Sequence, residues 1–251
     1  MSGHSKWSTI KRRKGAADAK RGQIFTKLAR EIVLAAREGG GDPNANFRLR
    51  LAVDKAREQN MPKDSIDRAI KRGTGESKDG ESFEQITYEG YAPNAVALMI
   101  ECFTENRNRT IAELRHVLTR SGGNMGESGS VAWQFDRVSF FEIPAEGYDF
   151  DKIFELAVEG GADDVNMDDD VISIVAPVES FKSISTLLDK NGVKFNEGGL
   201  KMIPKQEMSL SVEDTLQVMR TIEAVEDLDD VQNVYSNLRI SEEAMAALEE
   251  E

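Results

Sequence analysis

The sequence predicts an α+β protein of three domains: an N-terminal helical bundle followed by two α/β domains, one of them inserted in the other. Three observations predict it. Apolar residues recur at helical spacing through residues 24–73. The stretch "GTGESKDGES", residues 73–82, is rich in Gly, Ser and charge and breaks that pattern. Beyond it, short apolar runs rich in β-branched and aromatic residues alternate with amphipathic helical segments to about residue 240.

The first helix is "QIFTKLAREIVLAAREGG", with Ile24, Leu28, Ile32 and Ala36 on one face, Phe25 and Val33 beside them, and Gly39 to Gly41 as a stop. "DPNANFRLRLAVDKAREQN" gives a second, with Asp42 as N-cap and Pro43 in the first turn. In "NMPKDSIDRAIKRG" Pro62 suits the first turn, Ile66, Ala69 and Ile70 form the buried stripe, and Gly73 suits the C-terminal cap. Residues 23–75 therefore form the helical domain, residues 1–22 a basic flexible arm, and residues 76–82 a linker.

"ITYEGY" and "AVALMIECFT" read as strands, "RTIAELRHVLTRSGG" as a helix, and "SVAWQFD" as a strand that puts Trp133 in the core. From residue 138 a second series follows: "VSFFEI" strand, "DFDKIFELAVEGG" helix, "VISIVAPV" strand, "ESFKSISTLLDKNG" helix, and a strand near 193–203. The closing helix "VEDTLQVMRTIEAV" and strand "VQNVYSNLRI" cannot bury their faces alone, and the first sheet lacks helical cover. The expected division is a discontinuous domain of residues 83–136 plus 208–240, with residues 138–205 inserted. "ADDV" at 162–165 and "LDDV" at 228–231 recur between helix and strand.

Charge divides the chain more sharply than hydropathy does. The formal net charge is -13, yet residues 1–75 hold 18 Lys/Arg against 8 Asp/Glu, and residues 76–251 hold 14 against 37. No apolar run approaches the roughly 20 residues that cross a bilayer, so a membrane role is not expected. The basic N-terminus lacks the apolar core of a secretory signal, and cytoplasmic residence is the expectation. The single Cys102, within "VALMIECF", reads as a buried thiol in a reducing compartment.

Catalytic material is sparse. Two histidines, His4 and His116, leave little for imidazole chemistry. "GESGS" has Ser130 where a nucleophile elbow needs Gly, and "SGGNMGESGS" has no Lys at P-loop spacing. "DDVNMDDDV" fails as a calcium loop because Asp169 stands where Gly is needed and Val175 where Glu is needed, so it reads as a solvated acidic loop. The expectation is a protein without enzymatic activity, cofactor, metal or small-molecule substrate.

The basic region points to nucleic acid. Lys6, Lys11, Arg12, Arg13, Lys14, Lys20 and Arg21 are interleaved with Trp7 and Ile10, a mixture that a solubilising tail does not need. The charges run on into the bundle at Lys27, Arg30, Lys63 and Arg68. In "ENRNRT", Arg107 and Arg109 either stabilise acidic neighbours at a helix start capped by Asn108 or present two guanidinium groups to a phosphate. The candidate nucleic-acid-binding set is these fourteen residues, Trp7 and the named Lys and Arg side chains.

"GHSKW" (3–7), "KGAADAKRGQIFTKLAREI" (14–32), "NMPKDSIDRAIKRG" (60–73), "YEGYAP" (88–93), "ENRNRT" (105–110) and "GGNMGESGSVAWQF" (122–135) together closely resemble the YebC-like family. That family includes bacterial transcriptional regulators and a mitochondrial translational activator of cytochrome oxidase. The resemblance implies three domains, helical first, and a non-enzymatic role in gene expression. It also implies a common Asp where this chain has Glu105, and Gly-rich residues where it has Ala92, Asn94 and Ala95.

Three functions are compatible with the sequence. The first is a DNA-binding transcriptional regulator, although no clear helix-turn-helix signature is present. The second is a translation factor that binds ribosomal or transfer RNA on the ribosome and relieves stalling, for example at proline runs. The third is a protein-protein adaptor working through the acidic domains.

Overall fold

The computed structural model describes residues 18–76, 83–168 and 170–250. Two compact units divide the chain: residues 1–134 with 204–251, and residues 135–203. Each contains helix and sheet, as the α+β class requires.

In the first unit three helices build the bundle: α1 (Asp18–Gly39), α2 (Phe47–Glu58) and α3 (Lys63–Gly73). Leu28, Ile32, Val33, Leu49, Val53, Ile66 and Ala69 bury at the intersections. The caps differ from expectation. Asp42 does not cap α2: it closes a local turn by accepting from the Asn44 N–H, while Asn46 accepts from the Leu49 N–H at 3.1 Å and caps the helix. Three residues of turn separate Pro43 from the helix, so the cap moves to the last side chain able to reach the N3 amide. Gly73 is the last helical residue, with Thr74 as the cap. A Cβ at Gly73 would meet the Val33 carbonyl oxygen at 2.5 Å and the Ala36 Cβ at 2.7 Å, so close approach of α3 to α1 needs the glycine.

The sheet of this unit has the order β3-β1-β2-β9, from β1 (Glu84–Tyr91), β2 (Ala97–Thr104), β3 (Asn124–Met125) and β9 (Val231–Ser236). β1 and β2 pair antiparallel from Glu84↔Thr104 to Tyr91↔Ala97, and β2 pairs antiparallel with β9. The turn between β1 and β2 puts Asn94 and Ala95 at φ 60° and 59°. Left-handed backbone favours glycine there, which agrees with the Gly-rich turn the family resemblance implies.

β2 reads as an unbroken apolar run because both of its faces are covered. Leu98, Ile100 and Cys102 pack with Leu114 and Leu118 of α4 (Arg107–Arg120) and with Val218, Met219 and Ile222 of α7 (Val212–Glu226). Phe103, on the opposite face, belongs to the bundle core and stacks on Phe83 with centroids 4.6 Å apart. Strand β2 therefore takes part in two cores, one on each face, and Phe103 joins the sheet to the bundle. Met245 and Leu248 of α8 (Glu242–Glu250), a helix the sequence pattern did not disclose, complete the layer.

The chain leaves this unit at Gln134 and re-enters at Pro204, where the Lys205 N–H donates to the Gln134 carbonyl at 2.8 Å. Exit and return are adjacent, the geometry that lets a domain be inserted without disturbing its host. Asn237, 5% exposed, seals the junction by accepting from the Ala97 N–H and donating to the Gln134 side chain.

The inserted unit runs β4 (Phe135–Pro144), α5 (Phe150–Glu159), β5 (Asp164–Asp168), β6 (Val171–Ala176), α6 (Phe181–Lys190) and β7 (Glu197–Pro204). Its sheet order β5-β6-β4-β7 is that of a ferredoxin-like βαββαβ fold. Phe141 anchors the core, stacked on Phe181 at 5.1 Å and edge-on to Phe195 at 5.3 Å.

Two expectations fail here. The acidic stretch is not a loop: β5 pairs with β6, and Val165 and Met167 stand opposite Ile174 and Ile172. Alternation in D-V-N-M-D marks it, and the acids protect an edge strand from unwanted pairing. Nor is Trp133 a core residue of a strand at 130–136. Ala132–Gln134 forms a 3-10 turn that breaks the alternation, leaving Val131 and Phe135 buried and Trp133 69% exposed.

Cys102 is fully buried, and burial pushes its thiol up to about 12. In the folded protein near pH 8 the thiol should resist a thiolate-specific disulfide reagent. One equivalent should react when denaturant opens the β2 core, so a release assay with and without denaturant checks this burial.

Candidate nucleic-acid interface

The residues expected to bind nucleic acid fall into three groups. Lys6, Trp7, Lys11, Arg12, Arg13 and Lys14 lie outside the described residues. Lys20 and Arg21, expected in the flexible arm of residues 1–22, fall instead in the opening turns of α1, which begins at Asp18, and their side chains also lie outside the described set. The remaining six are placed.

Four of the six are committed to protein partners. Lys27 donates to the Glu226 carbonyl, and Arg30 to the Asp229 carbonyl. Arg107 pairs with Glu84. Arg30 and Arg109, 79 residues apart in sequence, converge on Asp230, whose side chain is 1% exposed. Arg30 Nη2 reaches Oδ1 at 2.8 Å, and Arg109 Nη2 lies 2.9 and 2.8 Å from the two carboxylate oxygens. The hydroxyls of Thr104 and Thr110 lie 3.0 and 2.7 Å from Oδ2. Of the two readings of "ENRNRT", the structure shows these arginines with acidic partners. The cap of α4 is Asn106, accepting from the Arg109 N–H at 3.1 Å, and Asn108 is an exposed residue of the first turn. Asn106 is the residue with extended backbone at that start, which aims its side chain at the free amide.

Burial by itself raises the Asp230 carboxyl. Hydrogen bonds from Arg109 and Thr110, the Arg30 charge and the Thr104 hydroxyl outweigh it, and the pKa falls below the ordinary value. Arg109 is raised in turn, first by its hydrogen bond to Asp230. A cleft of about 320 Å³ beside this cluster is lined by Gln23, Arg30, Arg109, Glu113, Asp227 and Asp229. Its carboxylates outnumber its guanidinium groups, so it is not an anion pocket.

Lys63 and Arg68, both exposed, lie on α3. Lys63 makes no ion pair with a described residue, and Arg68 bonds within its own helix to the Asp64 carbonyl and the Ser65 hydroxyl, each at 3.1 Å. Four residues, 59–62, separate α2 from α3, and Asn60 takes a left-handed φ of 60°. That is the connection length of a helix-turn-helix, which the sequence pattern had not signalled.

A second buried carboxylate shapes the "GGNMGESGSVAWQF" segment. Glu89, 8% exposed, accepts from the Gly129 N–H at 2.6 Å through Oε1, and from Val131 and Ala132 at 2.7 and 2.9 Å through Oε2. Burial raises this carboxyl, but the three backbone donors outweigh it and the pKa is lowered. Gly129, at φ +87°, permits the turn. Sequence reasoning missed Asp230, Thr104, Thr110 and Glu89 as organising residues. "LDDV" marked the place of Asp230, but its partners come from segments more than a hundred residues away.

A basic helical bundle packed on an α/β domain, which itself carries an inserted α/β domain, is a composite architecture found in a known class of regulatory proteins. The chain belongs to the TACO1/YebC family: residues 5–76 match the TACO1/YebC protein N-terminal domain, and residues 83–238 match the TACO1/YebC second and third domain. A "Probable transcriptional regulatory protein" of Geobacter sulfurreducens is 50% identical over 99% of this chain and 100% of its own length. One of the same name from Chlorobium chlorochromatii is 48% identical over the whole of both chains. The crystal structure of a conserved hypothetical protein from Aquifex aeolicus superposes with a TM-score of 0.78 at 42% identity, covering 90% of this chain and 93% of that one.

Replacing Asp230 with Asn leaves Arg30 and Arg109 without their counter-charge and should cost about 3 kcal/mol, the lower end for a broken buried pair because Arg109 is half exposed. The sign follows from a depressed carboxyl. Its contribution is complete above the ordinary value of 3.8 and is lost as pH falls through the lower folded value, so the gap between wild type and D230N should narrow in acid. Denaturant titrations at neutral and acidic pH measure both effects. Glu89→Gln should remove about 1.5–3 kcal/mol of charge-assisted bonding and speed hydrogen exchange at Gly129, Val131 and Ala132.

Proposed function

We propose that this chain is a non-enzymatic, nucleic-acid-binding regulator of gene expression that acts in the cytoplasm. The observation that carries this reading is the segregation of charge: 18 of the 32 Lys and Arg residues lie in the first 75 positions, ahead of a body holding 37 of the 45 acids. Polyanion is drawn to one end and repelled elsewhere. The contacting set is Lys6, Trp7, Lys11, Arg12, Arg13, Lys14, Lys20, Arg21, Lys63 and Arg68. Lys27, Arg30, Arg107 and Arg109 act beside it by fixing α1 and α4, and so the direction from which the arm leaves.

Duplex DNA is the first target reading. The relatives' printed name and the four-residue connection into α3, which exposes Lys63 and Arg68, support it. A specific observation favours a second reading, RNA met on the ribosome. Asp64 and Asp67 sit on α3 among its exposed cations, which suits a phosphate-lined cleft of irregular RNA better than close insertion into a groove.

Deleting residues 1–22 should abolish binding in either case. With about 6–10 phosphate contacts, the full chain should lose about 10³–10⁵ in affinity between 50 and 200 mM salt. Mobility-shift titrations on duplex DNA with competitor, beside ribosome co-sedimentation at both salt concentrations, distinguish the targets. Arm-dependent association with neither target, or equal binding by the truncated chain, refutes the reading and leaves the adaptor.

A further inference from the structure

We propose that Trp133 is a fixed stacking platform for an unpaired nucleobase, a site that rests on the nucleic-acid reading above and adds a contact far from the arm in sequence. Its ring is 69% exposed, while the neighbouring apolar residues Val131 and Phe135 are 0% and 5% exposed. Packing does not account for an indole in that position.

The ring is held nonetheless. Its Nε1–H donates to the Ser130 carbonyl at 3.0 Å, and the Tyr91 hydroxyl donates to the same oxygen at 3.2 Å. Three amides of the preceding loop are tied to the buried Glu89 carboxylate. A solvated tryptophan needs none of this support. A ring ordered in the free protein loses less freedom on binding, so the same contact gives more affinity.

The bonding also selects the ligand. Because the indole N–H is already satisfied within the loop, the side chain offers its π faces and no free donor. A flat, polarisable partner fits that surface, and every nucleobase has such a face. A protein partner would need a wider apolar patch. The other large exposed apolar side chains described in this unit are Ile24 on α1 and Val212 at the start of α7.

Access is open on the loop side, where a Cβ at Gly129 would have no heavy atom within 4 Å. Glu127, exposed in the same loop, repels phosphate. Base-paired duplex does not expose a base face, so the ligand is a single-stranded or looped nucleic acid.

The test uses the full chain and a short single-stranded oligoadenylate. The protein has two tryptophans, so W7F leaves Trp133 as its sole indole reporter. Saturable quenching of that emission is expected on titration. By mobility shift, W133A should bind the oligonucleotide about 5- to 150-fold more weakly than wild type, W133F should recover most of the loss, and melting temperature should stay unchanged in both. RNA binding with unaltered Trp133 emission, or equal affinity of W133A and wild type, overturns the platform while sparing the nucleic-acid reading. Absence of any RNA or DNA binding by the wild-type chain removes both. Quenching by a proline-rich peptide but not by the oligonucleotide overturns the nucleobase assignment in favour of a protein ligand.

Discussion

The buried carboxylate of Asp230 is the constraint on which the first unit depends. It stands just before β9, accepts the guanidinium groups of α1 and α4, and meets hydroxyls from the end of β2 and the first turn of α4. A charge removed from water this completely is tolerable only when fully partnered, so each element must arrive in register for the others to be stable. The backbone takes part as well, with the Phe103 N–H donating to the Asp230 carbonyl at 2.8 Å. Phe103 then carries the same junction into the bundle core. One residue thus couples a helical segment near the N-terminus to a strand two hundred residues later.

That coupling changes the meaning of the basic sequence. A count of positive residues treats them as equivalent, but in the fold they divide by partner. Arg30, Arg107 and Arg109 neutralise acids of their own chain, Arg72 pairs with Glu105 and lies over Phe83 at 4.2 Å, and Arg48 pairs with Glu38. On the function proposed above, the cations that meet a polyanion are those of the N-terminal segment together with Lys63 and Arg68 of α3.

Glu89 follows the same logic on a smaller scale. A carboxylate is withdrawn from water and given three backbone donors, which fixes a glycine-containing loop that otherwise has many conformations.

Periodicity made the α+β class, the bundle and the helices α4 to α7 legible, because amphipathic spacing is a local property that reports which face is buried. Insertion of one α/β domain in the other was also legible, since a terminal helix and strand without a partner must return to an incomplete sheet. β5 was obscured by its acids, whose edge position was not visible, and Trp133 was misplaced because apolar alternation continued across a 3-10 turn. The sequence by itself determined the unequal distribution of charge, the candidate arm and the family likeness, all carried by residue identity and short-range order. Only the tertiary structure decided which of the described cations are neutralised, which carboxylates organise loops and junctions, and that Trp133 faces solvent. Those depend on pairings between segments distant in the chain, and desolvation at the meeting point sets their strength.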